Sequence, residues 1–137
     1  MTTLHEFPLR VYFEDTDAGG VAYHASYLRW AERARTESLR AMHLPHALMM
    51  ERYKTMLVVR RIEVAYVRPA RLDQALVVTT AIAAIGAAKL DLRQEVRDAA
   101  GQAVLARLDV GLVALNADTL RPTRIPEPWR TALAPGA

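Results

Sequence analysis

The residues best suited to chemistry lie in the segment EDTDAGGVAYHASYLRW, positions 14 to 30. Asp17 precedes a glycine pair that includes Gly20, and His24 stands just before a helical pattern begins. The start of a helix presents unpaired N–H groups and a partial positive charge, which can hold a carbonyl oxygen as it becomes an oxyanion. A nearby carboxylate can attack that carbonyl or activate a water molecule. The segment therefore fits reactions of an acyl compound with a good leaving group.

Several other kinds of site do not match this segment. A calcium loop counted from Asp15 would need ligands at the positions of Gly19 and Ser26. A nucleotide-binding loop would need a lysine and a wider glycine spacing, and a zinc-binding helix would need a second histidine where Leu28 follows His24. The G-x-S-x-G motif of serine hydrolases is absent, and the chain has no cysteine. We therefore expect no metal site.

A structural role competes with each of these assignments. An aspartate before a helix is commonly its N-cap, so Asp17 fits a capping residue as well as a catalytic one. His24 fits a surface histidine at the start of a helix, and Asp15 fits a turn or a strand end. Arg33 and Arg35 are expected to be solvated charges on the helix. The residue types alone leave both interpretations of the segment open.

The elements that must position these residues begin with a strand and a long helix. Alternation in LRVYFE predicts a strand over Leu9–Glu14, which the glycine pair ends. A helix is predicted from about residue 25 to residue 42, with small side chains at positions 31, 34, 38 and 41. Such a stripe favours close packing against a flat surface. A second, shorter helix is predicted over residues 45–53.

The rest of the chain has the pattern of a sheet. From Thr55 onward the hydrophobic period changes from 3.6 to 2, and four strands with hairpin-like spacing are predicted over residues 55–68, 76–85, 88–98 and 103–115. A strand, a long helix and four further strands predict an α+β domain with an antiparallel sheet packed on the helix. An open edge strand would invite a second subunit, so we expect a homo-oligomer.

Length and composition predict one globular domain over residues 1–137, with a loosely structured tail after about residue 120. Apolar residues make up 52% of the chain and charged residues 24%, a globular balance. The net charge is +3 with arginines scattered among acids, which does not fit nucleic-acid binding. Neither a signal peptide nor an apolar run of membrane-spanning length is found. We therefore expect a cytoplasmic protein without a transmembrane segment.

The segment VYFEDTDAGGVAYHASYLRWAERARTESLR closely resembles the signature of hotdog-fold acyl-CoA thioesterases of the 4-hydroxybenzoyl-CoA thioesterase type, in particular the branch encoded beside the Tol–Pal envelope system. The diagnostic residues are Thr16, Asp17, Gly20, His24 and Tyr27. The similarity continues through YVRPARLDQALVVTT and into the C-terminal third, so it covers nearly the whole chain. It implies a five-stranded antiparallel sheet wrapped around a long central helix, in homodimers or homotetramers with active sites at subunit interfaces.

The resemblance also implies what the residues do. Acyl-CoA and water would give a free acid and CoA, with no cofactor and no metal. Asp17 would be the catalytic carboxylate, as nucleophile or as general base. The backbone N–H of His24 would polarise the thioester carbonyl, and its side chain would be an accessory polar group. Gly20 and Tyr27 would shape the acyl pocket.

Two positions depart from the family pattern, and the residues that contact CoA vary among its members. Ala22 stands where relatives commonly carry a larger aliphatic residue, and Ser26 stands where they often carry asparagine. CoA phosphates would meet arginine or lysine side chains, for which solvated surface charge is the competing interpretation. The candidates are Arg60, Arg61, Arg68 and Lys89.

Two functions other than hydrolysis are compatible with this fold: binding without catalysis, and hydration of enoyl-CoA. A non-catalytic protein of this branch would bind acyl-CoA or acyl carrier protein for envelope or lipid machinery. An enoyl-CoA hydratase would need a paired aspartate and histidine in a hydratase-type motif, which the sequence lacks. The sequence does not decide between short, long and aromatic acyl groups, or between a dimer and a tetramer.

Overall fold

The computed structural model describes residues 2–135, which form one antiparallel sheet and three α-helices. The strands are β1 (Thr3–Arg10), β2 (Thr55–Tyr66), β3 (Ala75–Ile85), β4 (Lys89–Asp98) and β5 (Val104–Asn116). The helices are α1 (Ser26–Ala41), α2 (His46–Tyr53) and α3 (Glu127–Leu133). Among the described residues, no helix is long and apolar enough to cross a membrane.

The sheet has the order β1-β3-β4-β5-β2. Strands β3, β4 and β5 are joined as successive hairpins, as their spacing predicts. Strand β2 instead pairs with β5, from Thr55 opposite Asn116 to Tyr66 opposite Ala106. It cannot pair with β3, because β1 and β4 occupy both sides of that strand. Strands β1 and β2 are therefore the two edges of the sheet.

Helix α1 packs on the sheet through its small residues. The predicted helix over residues 25–42 is confirmed as Ser26–Ala41. Ala31, Ala34 and Ser38 are buried, whereas Ala41 at the end of the stripe is exposed. Small side chains at the contact let the helix lie close to the strands, and Trp30 fills the space beside them. This packing fixes the position of α1 on the sheet, and with it the position of the residues that begin the helix.

One arginine of α1 is not where the sequence places it. Arg33 is exposed as expected, but Arg35 is only 8% exposed. Its Nη1 donates to Oε1 of Gln94 at 3.0 Å, and Nε2 of Gln94 donates to the Ala31 carbonyl and to Oγ1 of Thr80, each at 3.0 Å. The expectation of a solvated Arg35 is wrong, because this position falls on the helix face that meets β4.

The first strand also differs from its prediction over Leu9–Glu14. Strand β1 ends at Arg10, and a 3₁₀ turn follows over Phe13–Asp15. The N–H of Tyr12 donates to Oδ2 of Asp15 at 2.9 Å. This bond closes the turn and takes the backbone out of the extended conformation. The predicted strand over Leu9–Glu14 is therefore wrong at its C-terminal end, although the alternation of residue types continues there.

The tail after residue 120, expected to be loosely structured, carries helix α3. Ile125, Trp129 and Leu133 are buried at 2% exposure or less. The indole N–H of Trp129 donates to the Leu44 carbonyl at 2.9 Å, and its ring meets the ring of Tyr53 edge-on. The tail is ordered because its apolar residues face the core at helical spacing.

Candidate functional site

Asp17 lies in a tight loop between β1 and α1. Thr16 and Ala22 close this loop as an isolated antiparallel bridge. The Asp17 N–H donates to the Val21 carbonyl at 2.9 Å, and the Gly20 N–H donates to the Asp17 carbonyl at 3.2 Å. The loop therefore holds the aspartate on a short closed turn just before the helix.

The two glycines have different reasons to be there. Gly20 has a φ of 77°, a conformation that glycine adopts without strain. The Gly19 N–H donates to Oδ1 of Asp17 at 2.8 Å, and a Cβ at Gly19 would stand 3.3 Å from that same oxygen. Gly19 thus orients one carboxylate oxygen of Asp17, whereas the other oxygen has no hydrogen-bond partner among residues 2–135. The Asp17 side chain is exposed.

The first turn of α1 leaves backbone N–H groups available. Ala25 is the N-cap and supplies no side-chain cap, and Asp17 bonds within its own loop rather than to α1. In the described part of the chain, no acceptor meets the N–H of His24 or of Ala25. Such groups sit at the positive end of a helix and can stabilise negative charge on a carbonyl oxygen.

His24 is exposed, and its position is fixed by a residue from another element. The hydroxyl of Tyr66 donates to the His24 carbonyl at 2.8 Å. Burial raises the pKa of Tyr66, and neighbouring Tyr27 raises it further, so the phenol stays protonated at neutral pH and remains a donor. The His24 ring rests against Tyr23, with ring centroids 4.2 Å apart. Sequence reasoning did not identify Tyr66, since 42 residues separate it from His24.

Tyr27 forms the wall of a cleft beside His24. It is 3% exposed, and its hydroxyl accepts a hydrogen bond from the Ala70 N–H at 2.9 Å. Its ring meets the rings of Trp30 and Tyr66 edge-on. The cleft measures about 250 Å³ and is lined by Ala22, His24, Tyr27, Tyr66, Val67, Arg68 and Pro69.

Asp15 has the structural role of a turn residue. It is 5% exposed, accepts the Tyr12 N–H, and lies 3.9 Å from Nη2 of Arg29. Its carbonyl accepts the hydroxyl of Ser26 and the N–H of Tyr23, both at 2.8 Å. Ser26, which departs from the family pattern, therefore ties the start of α1 to the preceding turn.

The predicted phosphate contacts are spread over the chain. Arg68 is exposed at the cleft. Arg71, which sequence reasoning missed, forms an isolated antiparallel backbone bridge with Val21 in the Asp17 loop. Lys89 begins β4 opposite Val113, at the end of the sheet away from the loop that follows β1. Within one chain, the structure brings Arg68 to the cleft and leaves Lys89 apart.

The other two candidates lie along edge strand β2. Arg61 pairs with Glu63 at 3.4 Å on the exposed surface. Arg60 lies at an irregularity in the pairing of β2 with β5. Both are therefore nearer to the open edge of the sheet than to the Asp17 loop.

Comparisons with known proteins agree on one family. A model described as the thioesterase-like superfamily matches residues 11–133. The chain is 43% identical over 127 residues to the acyl-CoA thioester hydrolase YbgC of Escherichia coli O6:H1, covering 92% of each chain. It is 34% identical over 126 residues to the acyl-CoA thioesterase YbgC of Haemophilus influenzae, covering 92% of this chain and 91% of that one.

Solved structures show the same architecture. A probable thioesterase from Bartonella henselae superimposes with a TM-score of 0.85 at 33% identity, covering 91% of this chain and 100% of that one. A 1,4-dihydroxy-2-naphthoyl-CoA thioesterase from Synechocystis has a TM-score of 0.86 at 24% identity, covering 93% of each chain, a likeness of fold alone. The predicted α+β hotdog fold with a five-stranded antiparallel sheet is confirmed.

Proposed function

Because the chain belongs to the thioesterase-like superfamily and is a thioesterase, we propose that it hydrolyses the thioester bond of acyl-CoA to a free acid and CoA. One observation carries the assignment of the site. An exposed Asp17 carboxylate, oriented through one oxygen, precedes a helix start whose His24 and Ala25 N–H groups have no acceptor in residues 2–135. A thioester carbonyl needs both a donor for its oxygen and a group that attacks or activates water.

In this mechanism the carbonyl oxygen docks on the His24 N–H. By the first route Asp17 takes a proton from water, the water oxygen adds to the carbonyl carbon, and the C–S bond breaks as CoA leaves and receives that proton. By the second route Asp17 itself displaces CoA and forms an acyl-aspartyl anhydride, which water then hydrolyses. Repeated turnover in ¹⁸O-labelled water tests the second route, because label enters the Asp17 carboxylate when water attacks the aspartyl carbon of the anhydride and does not enter it by the first route.

Neighbouring residues have supporting roles in this proposal. Tyr66 positions the His24 peptide through the His24 carbonyl. Gly20 permits the turn that presents Asp17, and Tyr27 forms the wall of the acyl pocket. Arg68 at the mouth of the cleft is the CoA-phosphate contact that the geometry favours. The reaction as written needs no metal and no prosthetic group.

We also propose that the enzyme assembles through the free edge of β2. This strand has 12 residues and exposes Val59, which is 46% accessible. The opposite edge strand β1 has eight residues and contains Pro8 and charged side chains, features that protect an edge from pairing. Tyr66 ends β2 and lines the cleft, so a partner on this edge would border the active site. A homodimer is the simplest such assembly.

The test of catalysis is Asp17→Asn assayed against a panel of short, long and aromatic acyl-CoA substrates by release of free thiol. We expect hydrolysis to fall by about 10²-fold or more, the range for loss of a general base, with unchanged thermal unfolding. Glu14→Gln is the matched control, because Glu14 is an exposed acid in the same segment. Full hydrolysis by Asp17→Asn would remove Asp17 from the mechanism.

The panel also tests the alternative of a non-catalytic binding protein. If the wild-type protein releases no thiol from any substrate but binds acyl-CoA or acyl carrier protein, the binding role replaces hydrolysis. If it releases thiol, the fastest member of the panel identifies the preferred acyl group.

A further inference from the structure

A groove adjoins the cleft at the residues that follow β2. It has a volume of about 540 Å³, within the range of about 300–1,000 Å³ typical of small-molecule sites. Arg68 and Pro69 line both the cleft and the groove, so a ligand can extend from one into the other. The remaining walls come from the β2–β3 connection and from the residues that join β4 to β5, and they consist of Arg71, Gln74, Asp98, Ala103 and Leu105.

The groove contains two exposed arginine side chains, those of Arg68 and Arg71. In residues 2–135 neither guanidinium forms an ion pair within 4.0 Å. Arginines on the outer face of the sheet differ, since Arg93 and Arg107 each pair with an acid of a neighbouring strand. The groove therefore offers two guanidinium forks, a geometry that matches phosphate groups.

One acid, Asp98, also lines the groove, and it is engaged by its own hydrogen bonds. Its Oδ2 accepts the Gly101 N–H at 2.9 Å, and its Oδ1 accepts Nε2 of Gln74 at 3.1 Å. The bond from Gly101, followed by that from Gln74, lowers the pKa of Asp98, so its carboxylate is ionised at neutral pH. Two cations and one anion leave the groove with a net positive charge, which favours an anionic ligand.

The backbone at Arg71 is tied to the loop that carries Asp17. Val21 and Arg71 form an isolated antiparallel bridge, and the Leu72 N–H donates to the Gly20 carbonyl at 3.2 Å. These contacts hold one wall of the groove against the candidate catalytic loop. A ligand that reacts at Asp17 and leaves the cleft past the shared residues therefore enters the groove.

We propose that the groove binds the phosphorylated adenosine end of CoA, an assignment that rests on the proposed function. Arg68, which borders both the cleft and the groove, binds the diphosphate, because this group lies nearer to the thioester along the CoA chain. Arg71, which lines only the groove, binds the 3′-phosphate of the ribose. A concave site also favours a small anionic group over the surface of an acidic protein.

The consequence of this assignment is a preference between two kinds of thioester. CoA and acyl carrier protein present the same phosphopantetheine arm, but only CoA continues into a 3′-phosphorylated adenosine. The groove would therefore add affinity for a CoA thioester and none for a carrier-protein thioester.

The test is steady-state kinetics with the fastest acyl group of the panel carried on CoA, on 3′-dephospho-CoA and on pantetheine. For the wild type we expect KM to rise roughly tenfold from CoA to 3′-dephospho-CoA, the low end for loss of a hydrogen bond to a charged group, and to rise again for pantetheine. Arg71→Gln should raise KM for acyl-CoA by the same factor and leave it unchanged for the other two. Arg68→Gln should raise KM for both nucleotide-bearing substrates and not for acyl-pantetheine.

Arg33→Gln is the matched control, because it removes one exposed arginine of α1 that does not line the groove. It should keep the wild-type KM for all three substrates. Equal wild-type KM for acyl-CoA and acyl-3′-dephospho-CoA, or an equal rise for all three in Arg71→Gln, would overturn the proposal. A rise in Arg71→Gln confined to an acyl carrier protein substrate would assign Arg71 to a protein partner and overturn it as well.

Competition distinguishes the end of CoA from a free nucleotide with a site of its own. Adenosine 3′,5′-bisphosphate should raise the KM for acyl-CoA and leave kcat unchanged, because both ligands need the groove. A lower kcat with unchanged KM would assign the groove to a separate regulatory nucleotide and refute the proposal.

Direct binding separates failure of this proposal from failure of the proposed function. Calorimetry should show one adenosine 3′,5′-bisphosphate per wild-type chain and at least tenfold weaker binding by Arg71→Gln. If the wild type hydrolyses no acyl-CoA yet shows this difference, the proposed function fails and the groove stands as a nucleotide site. If it hydrolyses acyl-CoA and Arg71→Gln binds the bisphosphate as the wild type does, hydrolysis stands and the groove assignment fails.

Discussion

Asp15 and Asp17 are two residues apart, yet their carboxylates have different surroundings. Asp15 is buried, and its oxygens are used by the Tyr12 N–H and approached by Arg29. Asp17 is exposed, and among residues 2–135 its carboxylate accepts a hydrogen bond only from the Gly19 N–H. A substrate can reach Asp17 without breaking the turn, whereas a substrate at Asp15 would displace contacts that shape the start of α1. For this reason we propose Asp17, rather than Asp15, as the catalytic carboxylate.

Tyr66→Phe tests whether the phenol positions the His24 peptide. The substitution removes one hydrogen bond, worth about 0.5–1.5 kcal/mol, so we expect kcat to fall by roughly 2- to 10-fold. KM should change little, since the ring of Tyr66 still lines the cleft. Steady-state kinetics give both constants.

Tyr53→Phe is the matched control, because Tyr53 packs on Trp129 and does not line the cleft. It should retain wild-type kinetics. A Tyr66→Phe enzyme with unchanged kcat would show that the His24 peptide needs no such support.

Whether the role of a residue can be predicted from the sequence depends on whether its contacts are close to it in the chain. Asp17, His24 and Tyr27 fall within one short segment, so spacing and resemblance bring them together. Tyr66 reaches the site only because the end of β2 lies beside the start of α1, which no local pattern reveals. Arg35 was misjudged because its burial depends on which helix face meets β4.

Among the elements, α3 shows how a short segment can stabilise the whole domain. Trp129 is fully buried; it links α3 to the segment before α2 through the Leu44 carbonyl and to the end of α2 through the Tyr53 ring. Neither of these residues belongs to the loop that carries Asp17. Its contribution is therefore expected to appear in stability rather than in chemistry.

Trp129→Ala should lower the free energy of unfolding by about 3–5 kcal/mol, the usual cost of removing a buried tryptophan side chain. Urea titration followed by circular dichroism measures this. The fraction that remains folded should hydrolyse substrate at the wild-type rate. Thr131→Ala, at an exposed position of α3, should change stability by less than about 0.5 kcal/mol. A loss below about 1 kcal/mol for Trp129→Ala would mean that α3 detaches without cost.

Elements with regular periods were predicted well, and connections between distant ones were not. Alternation located β3, β4 and β5 and paired them correctly, because neighbouring strands joined by short turns form hairpins. The same pattern could not reveal that β2 crosses to β5. The positions of β1 and β4 on either side of β3 exclude a β2–β3 hairpin, and those positions are a property of the assembled sheet rather than of the local pattern.

For the molecule as a whole, the two faces of the sheet differ in what covers them. One face packs on α1 and the core. The other carries cross-strand ion pairs, Arg93 with Asp109 at 3.0 Å and Arg107 with Glu95 at 3.2 Å. A charged, solvated face favours association through an edge rather than through the face, which is consistent with the proposed role of β2.

Val59→Lys tests that assembly, because a lysine on an edge strand opposes pairing. We expect sedimentation to show a change from a homodimer to single chains of 15.3 kDa, together with reduced hydrolysis. Leu120→Lys, an exposed apolar position after β5, should leave the mass unchanged. A wild-type protein that sediments as a single chain would refute the β2 interface.

The pairing of β2 with β5 sets the order in which the protein can be completed on the ribosome. Strand β2 is synthesised well before its partner, and the 50 residues from Val67 to Asn116 must follow before pairing is complete. At the usual rate of synthesis this takes roughly 3–10 s. Throughout that interval the nascent chain carries a 12-residue strand with both edges open, so this stretch is where a chaperone would be needed most.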